Sequence, residues 1–235
     1  MKPEAVLVET NWVVDVIAPA HLQKQQAIDL LTRAQAGEFG LYVPAICLTE
    51  ARETVPRRFN PRSQSADLRN FLKWAKIEGK VNPEDAKAAF RVFDQFDGLV
   101  ANELTKVSER LTELAKLPYL NVFPLSEPML ERQVAIGALD LSLKPYDLAV
   151  LAAVLVKAEE LQQQNHSWVG FCELDSDLLP WDRSGDRKSI LRDLYDQSRI
   201  WVYDNFLVED IDAIPDRWTN ANWQGLSCET VPHFR

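Results

Sequence analysis

The chain has 235 residues, a formal net charge of −9 and a hydrophobic content of 46%. That apolar fraction suffices for a folded core in one large α/β domain or two small ones and excludes disorder as the default state. The negative balance argues against a protein that coats nucleic acid through a basic surface, because such affinity comes from neutralised phosphates, but it leaves room for an enzyme that acts on nucleic acid.

In chain order, "AVLVE" (5–9) reads as a short buried strand. "LQKQQAIDLLTRAQAG" (22–37) follows as a helix with Ala27, Ile28, Leu31 and Ala34 on one face and Gly37 at its C-terminal cap. "LYVPAICL" (41–48) is a second strand, and a helix is expected from about Thr49. "ETVPRRFNPRSQS" (53–65), with two prolines, reads as an exposed loop. From 66 to 117 the pattern is helical, and Phe93, Phe96, Val100, Leu104, Val107, Leu111 and Leu114 draw one apolar stripe along a long helix. Such a stripe is ordinarily internal packing, and it leaves a homodimer open.

"YLNVFPL" (119–125) is a third strand, followed by a helix over about 127–139. "KPYDLAVLAAVLVKAEELQQQN" (144–165) has a proline suited to a first helical turn and an almost continuous apolar face, so it predicts a deeply packed helix. "SWVGFCELDSD" (167–177), "DRKSILRDLYDQS" (186–198) and "RIWVYD" (199–204) complete the pattern as strand, helix and strand, and an irregular tail starts near Pro215. The alternation predicts an α/β fold: a three-layer α/β/α domain over 1–235 with a central, mostly parallel five-stranded sheet and a helical insertion at about 54–118.

Cysteine usage and the N-terminus bear on location. The cysteines Cys47, Cys172 and Cys228 are odd in number, and two lie in apolar runs, which predicts reduced thiols and a cytoplasmic protein. "MKPEAVLVE" lacks the features of a signal peptide, and the longest apolar run, 148–156, is about half a membrane span, so neither secretion nor membrane insertion is expected.

In open parallel sheets ligands bind beyond the carboxyl ends of the strands. Here those positions are acidic: Glu9 after the first strand, Glu50 after the second, and Asp175 and Asp177 after the fourth, with Asp147 opening the packed helix that feeds the fourth. Singly, each has an ordinary explanation. Glu50 and Asp147 fall where a carboxylate satisfies free N–H groups of a helix start, and the aspartates suit turns, although glutamate is a poor turn former. Together, crowded carboxylates repel unless cations neutralise them, and hard oxygen ligands suit Mg²⁺ or Mn²⁺ and phosphoester chemistry. The histidines His21, His166 and His233 have no zinc spacing, and no phosphate-binding glycine loop occurs.

With "VLVETN", "VPAICLTEA", "LKPYDLAVLAAVL" and "FCELDSDL" in this order, the chain resembles the PIN-domain family of metal-dependent ribonucleases, which includes toxins of bacterial toxin–antitoxin pairs. The similarity covers roughly 5–53 and 119–210. By the resemblance, Glu9, Glu50, Asp147, Asp175 and Asp177 are the catalytic and metal-ligating acids, Thr10 and Asn11 their small polar neighbours, Mg²⁺ or Mn²⁺ the cofactor, RNA the substrate and an antitoxin-like protein a partner. Glu9 stands where the family has aspartate, which moves the carboxylate outward by about 1.5 Å. The chain is also longer than a compact toxin of this kind. An RNA- or protein-binding module without catalysis is the alternative, and a phosphatase a third, although that class places its Asp-x-Asp after the first strand, where this chain has "ETN".

RNA needs cations and stacking surfaces beside such a pocket. Arg52, Arg57, Arg58, Arg62 and Arg69, interleaved with Phe59, Phe71 and Trp74, are the candidates, although Phe71 and Trp74, three apart, are expected to face the core, and the arginines to solvate a loop. "WDRSGDRK" (181–188) is a weaker one.

Overall fold

The four residues of β1 (Ala5–Val8) are all fully buried, as expected of a strand covered on both faces. The computed structural model describes residues 2–139, 141–164, 166–181 and 188–210, save the side chains of Arg62 and Gln64. β1 is the centre of an all-parallel sheet whose other strands are β2 (Gly40–Pro44), β3 (Leu120–Phe123), β4 (Val169–Cys172) and β5 (Ile200–Tyr203), in the order β3-β2-β1-β4-β5. The chain first winds outward through β2 and β3, then returns to the other side of β1 for β4 and β5. That reversal makes the carboxyl ends of β1 and β4 a topological switch point. The register there is Val8 opposite Cys172.

The helices are α1 (Thr10–Ile17), α2 (Gln25–Gln35), α3 (Ala45–Arg58), α4 (Pro61–Ile77), α5 (Pro83–Thr105), α6 (Val107–Leu114), α7 (Glu127–Gly137), α8 (Pro145–Gln163) and α9 (Ser189–Gln197). The expected three-layer α/β/α architecture is the one observed. α1 packs on α2, α3 and α6, and α7 packs on α8. In α8 the run from Ala149 to Val156 is buried all round, which explains its unbroken apolar sequence. Gly37 takes the left-handed conformation, φ 77°, just past α2, where a Cβ would be strained. Cys47 and Cys172 are buried free thiols, and Cys228 and the tail from Pro215 lie outside the described residues. Among the described residues no helix is long and apolar enough to cross a membrane.

Several expectations change. A helix, α1, follows β1 at once; its sequence "TNWVVDVI" is rich in β-branched residues and gives little helical signal, yet it is anchored by Trp12, whose indole N–H donates to the Ala27 carbonyl at 3.1 Å. β2 ends at Pro44, and the expected strand residues 45–48 are the start of α3. The expected loop over 53–65 is mostly helix. Pro56 lies inside the last turn of α3, so the one N–H it lacks, which would face the Arg52 carbonyl, is lost close to the helix end, and Pro61 opens α4, where a missing N–H is harmless. The long helix over 66–117 is three. Gly79, with φ 65°, sits in the turn between α4 and α5, and the chain breaks again at Lys106. α4 and α5 form a hairpin in which Arg69 donates to Asp97 at 2.7 Å, Asp94 at 3.1 Å and Ser65 at 3.0 Å. Of the proposed stripe, Val100, Val107, Leu111 and Leu114 are buried and Phe93, Phe96 and Leu104 half-buried, so much of it packs internally.

Candidate functional site

Glu9 sits where β1 turns into α1, as the N-cap of that helix: its Oε2 accepts the Asn11 backbone N–H at 2.6 Å. Its other oxygen, Oε1, is buried without a hydrogen-bond partner. Only 5% of the side chain is exposed. Burial, and then repulsion from Glu50 and Asp175 against the help of Asn11, pushes its carboxyl from 4.5 up to about 8. The capping explanation therefore holds for one oxygen of Glu9 and not for the other.

Glu50 lies in the second turn of α3, too far from the helix start to cap it, because α3 begins at Ala45. Instead its Oε2 accepts a short hydrogen bond, 2.5 Å, from the hydroxyl of Thr10, which is itself buried. This bond joins α1 to α3 beneath the sheet edge. Asp147 is the third residue of α8, whose start is tied to α3 by the Tyr146 hydroxyl donating to the Ile46 carbonyl at 2.6 Å. Its Oδ2 is buried and unpartnered, and burial, then the charges of Asp175, Glu50 and Asp177, raise its carboxyl above the usual aspartate value in spite of Lys144. Asp175 accepts the Asp177 backbone N–H on Oδ1 at 2.9 Å, an aspartate turn of the ordinary kind, while Asp177 is exposed.

Glu9, Asp175 and Asp177 thus lie past the carboxyl ends of β1 and β4, while Glu50 and Asp147 stand on α3 and α8. Beyond burial, the charges of Glu50 and Asp175 act on Glu9, and those of Asp175, Glu50 and Asp177 act on Asp147. Among the described residues, no group of three or more His, Cys, Asp or Glu side chains is arranged so as to hold a metal ion. The donor chemistry fits a hard divalent cation, and the unpartnered oxygens of Glu9 and Asp147 are of the kind such an ion satisfies; the acids do not form a closed cage.

One carboxylate was passed over in the sequence. Glu173, one residue past β4, is fully buried, its Oε1 accepts the Asp175 backbone N–H at 2.6 Å, and its Oε2 has no partner. Burial and the neighbouring Glu9 push its carboxyl well up. The available signal was an acid ending an apolar run, as at Glu9, hidden because "SWVGFCELDSD" reads as one strand to its end.

The substrate candidates fare unevenly. Arg58 lies 3.7 Å from the buried Asp15, which also pairs with Lys24 at 2.9 Å, and its guanidinium covers the Phe59 ring, so it anchors α3 to α1. Phe59 is buried. Arg52 and Arg57 are exposed on α3, Arg57 reaching Thr54 at 3.5 Å, and Arg69 is spent on the hairpin. The side chain of Arg62, and residues 182–187 of "WDRSGDRK", lie outside the described residues. Phe71 and Trp74 are 61% and 52% exposed, so they line an outer face of α4 and not the core. His21 is exposed with its ring against Phe96, and His166 faces Glu4 at 3.1 Å.

No family model, no curated protein and no solved structure matches the chain.

Proposed function

We propose that the chain is a Mg²⁺- or Mn²⁺-dependent ribonuclease whose site is the acidic edge formed by Glu9, Glu50, Asp147, Asp175 and Asp177. The observation that carries this reading is the pair of buried, unpartnered carboxylate oxygens, Glu9 Oε1 and Asp147 Oδ2, beside the switch point of a parallel sheet. A fold gains nothing from burying carboxyl oxygens without partners, so their cost is understandable where a ligand completes them. A divalent ion there supplies charge neutralisation, polarisation of a phosphate oxygen and activation of water. Glu9 and Asp147 would hold it, Thr10 fixes the Glu50 carboxylate toward the same edge, and Asn11 fixes the Glu9 rotamer. Arg52 and Arg57, exposed on the helix that carries Glu50, would be the contacts to RNA phosphates. The resemblance to PIN domains supports the choice of RNA and of an antitoxin-like partner.

The test is cleavage of unstructured RNA with Mn²⁺, with a chelator, and by Asp147→Asn. Cleavage that depends on metal and falls about 100-fold or more in the variant is expected; cleavage that survives chelator and substitution overturns the proposal. One observation favours a second reading, a binding module without catalysis. The Glu9 carboxyl, raised to about 8 with no cation beside it, is largely protonated at neutral pH, so a cation must displace that proton to bind there. Metal-independent RNA binding without cleavage is the result that reading requires.

A further inference from the structure

β1 and β4 are hydrogen-bonded neighbours, and Val8 stands opposite Cys172 in their register. The next position on each strand is therefore a matched pair, Glu9 and Glu173, at the point where the strand order reverses. The two glutamates are built alike. Each uses one oxygen to accept the backbone N–H two residues on, from Asn11 and from Asp175, both at 2.6 Å. Each leaves the other oxygen, Glu9 Oε1 and Glu173 Oε2, buried with no partner, at side-chain exposures of 5% and 0%. Among the described residues no lysine, arginine or histidine forms an ion pair with either. Cys47, Cys172 and Tyr195, on which their charge acts, are pushed up first by burial and further by that charge, and offer no neutralisation.

We propose that Glu173 is a cation ligand, and that Glu9 and Glu173 together form the floor of the divalent-ion site, with their two unpartnered oxygens as the donors. The inference rests on the metal-dependent reading above, and adds to it a residue outside the five that the sequence assigned. Two like acids side by side in a dry setting stay together at low cost when a cation lies between them. Mg²⁺ needs no cage of protein ligands: it is ordinarily held by one or two carboxylates, with waters and phosphate oxygens filling its shell. A two-carboxylate floor is thus compatible with the lack, among the described residues, of a group of three acids arranged to hold an ion. Glu173 also sets the loop that follows it, since the N–H it holds belongs to Asp175. The floor and the rim of the site are joined through one side chain.

The test is Mn²⁺ binding to the full chain, read by titration calorimetry and by the Mn²⁺-dependent rise in melting temperature, for the wild type, Asp147→Asn and Glu173→Gln. Glutamine keeps the shape and the hydrogen bond to Asp175 and removes the anionic donor. The expected result is a fall in affinity of at least about tenfold in Glu173→Gln, with the melting temperature in chelator unchanged or raised. Wild type that binds no Mn²⁺ overturns this inference together with the metal-dependent reading. Wild type that binds, Asp147→Asn that weakens binding and Glu173→Gln that leaves it within twofold overturn this inference alone. Should Glu173→Gln fail to fold, Glu173→Asp, which keeps the charge and withdraws the oxygens, decides: weakened binding supports the floor, and unchanged affinity overturns it.

Discussion

At the carboxyl ends of β1 and β4 the chain buries two carboxyl groups, Glu9 and Glu173, whereas along α4 and α5 it leaves Phe71, Trp74 and Leu99 at 61%, 52% and 68% exposure. Both arrangements run against the usual partition of polar and apolar residues, and they are supported in different ways. The acids stand on the central strands and on helices packed beneath them, so the core of the molecule absorbs their cost. The hairpin is held to itself by the Arg69 network and places its aromatic residues where water reaches them. Charge is tolerated where the scaffold is strongest, and apolar exposure where little of the core depends on it.

The largest effect expected from this contrast is on the scaffold under the acids. Leu151, fully buried one turn after Asp147 on α8, should cost about 2–5 kcal/mol when changed to alanine, measured by urea unfolding. A loss below about 1 kcal/mol would mean that α8 is not the packed support that fixes Asp147. A comparable effect should appear as a dependence on pH. The Glu9 carboxyl rises from 4.5 in the unfolded chain to about 8 in the fold, and Glu173 and Asp147 shift the same way. Between those values the folded chain binds more protons than the unfolded one. The contribution to stability is therefore full below pH 4.5, declines as pH rises and is lost by about pH 8, at no more than about 1.4 kcal/mol per pH unit for each group. Glu9→Gln should flatten this decline; a variant with the wild-type slope would refute the assignment of the charge to Glu9.

Smaller effects belong to the hairpin. Arg69→Ala removes contacts to Asp97, Asp94 and Ser65 from a partly exposed site, and roughly 1–2 kcal/mol of local stability is expected. Amide exchange should quicken in α4 and α5 while β1 and β4 keep their protection. Equal acceleration in the sheet would show that hairpin and body open as one unit.

The contrast also explains what could be read in the sequence. Strands of a sheet covered on both faces are continuous apolar runs, so "AVLV", "VGFC" and "IWVY" stand out, and the α/β class follows from their alternation with helices. Five acids were visible because they follow such runs or stand near the start of a helix. Glu173 was not, because its importance lies in the register of β1 against β4, a pairing of segments far apart in the chain that no local pattern encodes. The helix α1 was missed for a related reason: valines and a tryptophan favour a strand locally, and Glu9 capping with the packing of Trp12 overrules them. Proline misled in the other direction at 53–65, since its position within the last turn of α3 and the first of α4 decides whether it breaks anything.

Phe71 and Trp74 give the smallest expected effect and test the contrast most directly. Their spacing puts them near one another on a helix, and their rings do meet at 5.9 Å, but spacing is silent on whether that side is turned inward. With half or more of each side chain in water, little area is lost to solvent when it is replaced. Trp74→Gln should change the unfolding free energy by no more than about 0.5 kcal/mol, against the several lost at Leu151. A penalty above about 1 kcal/mol would show that this face of α4 is covered when the full chain is in solution, and the hairpin would then belong with the core in the comparison and not against it.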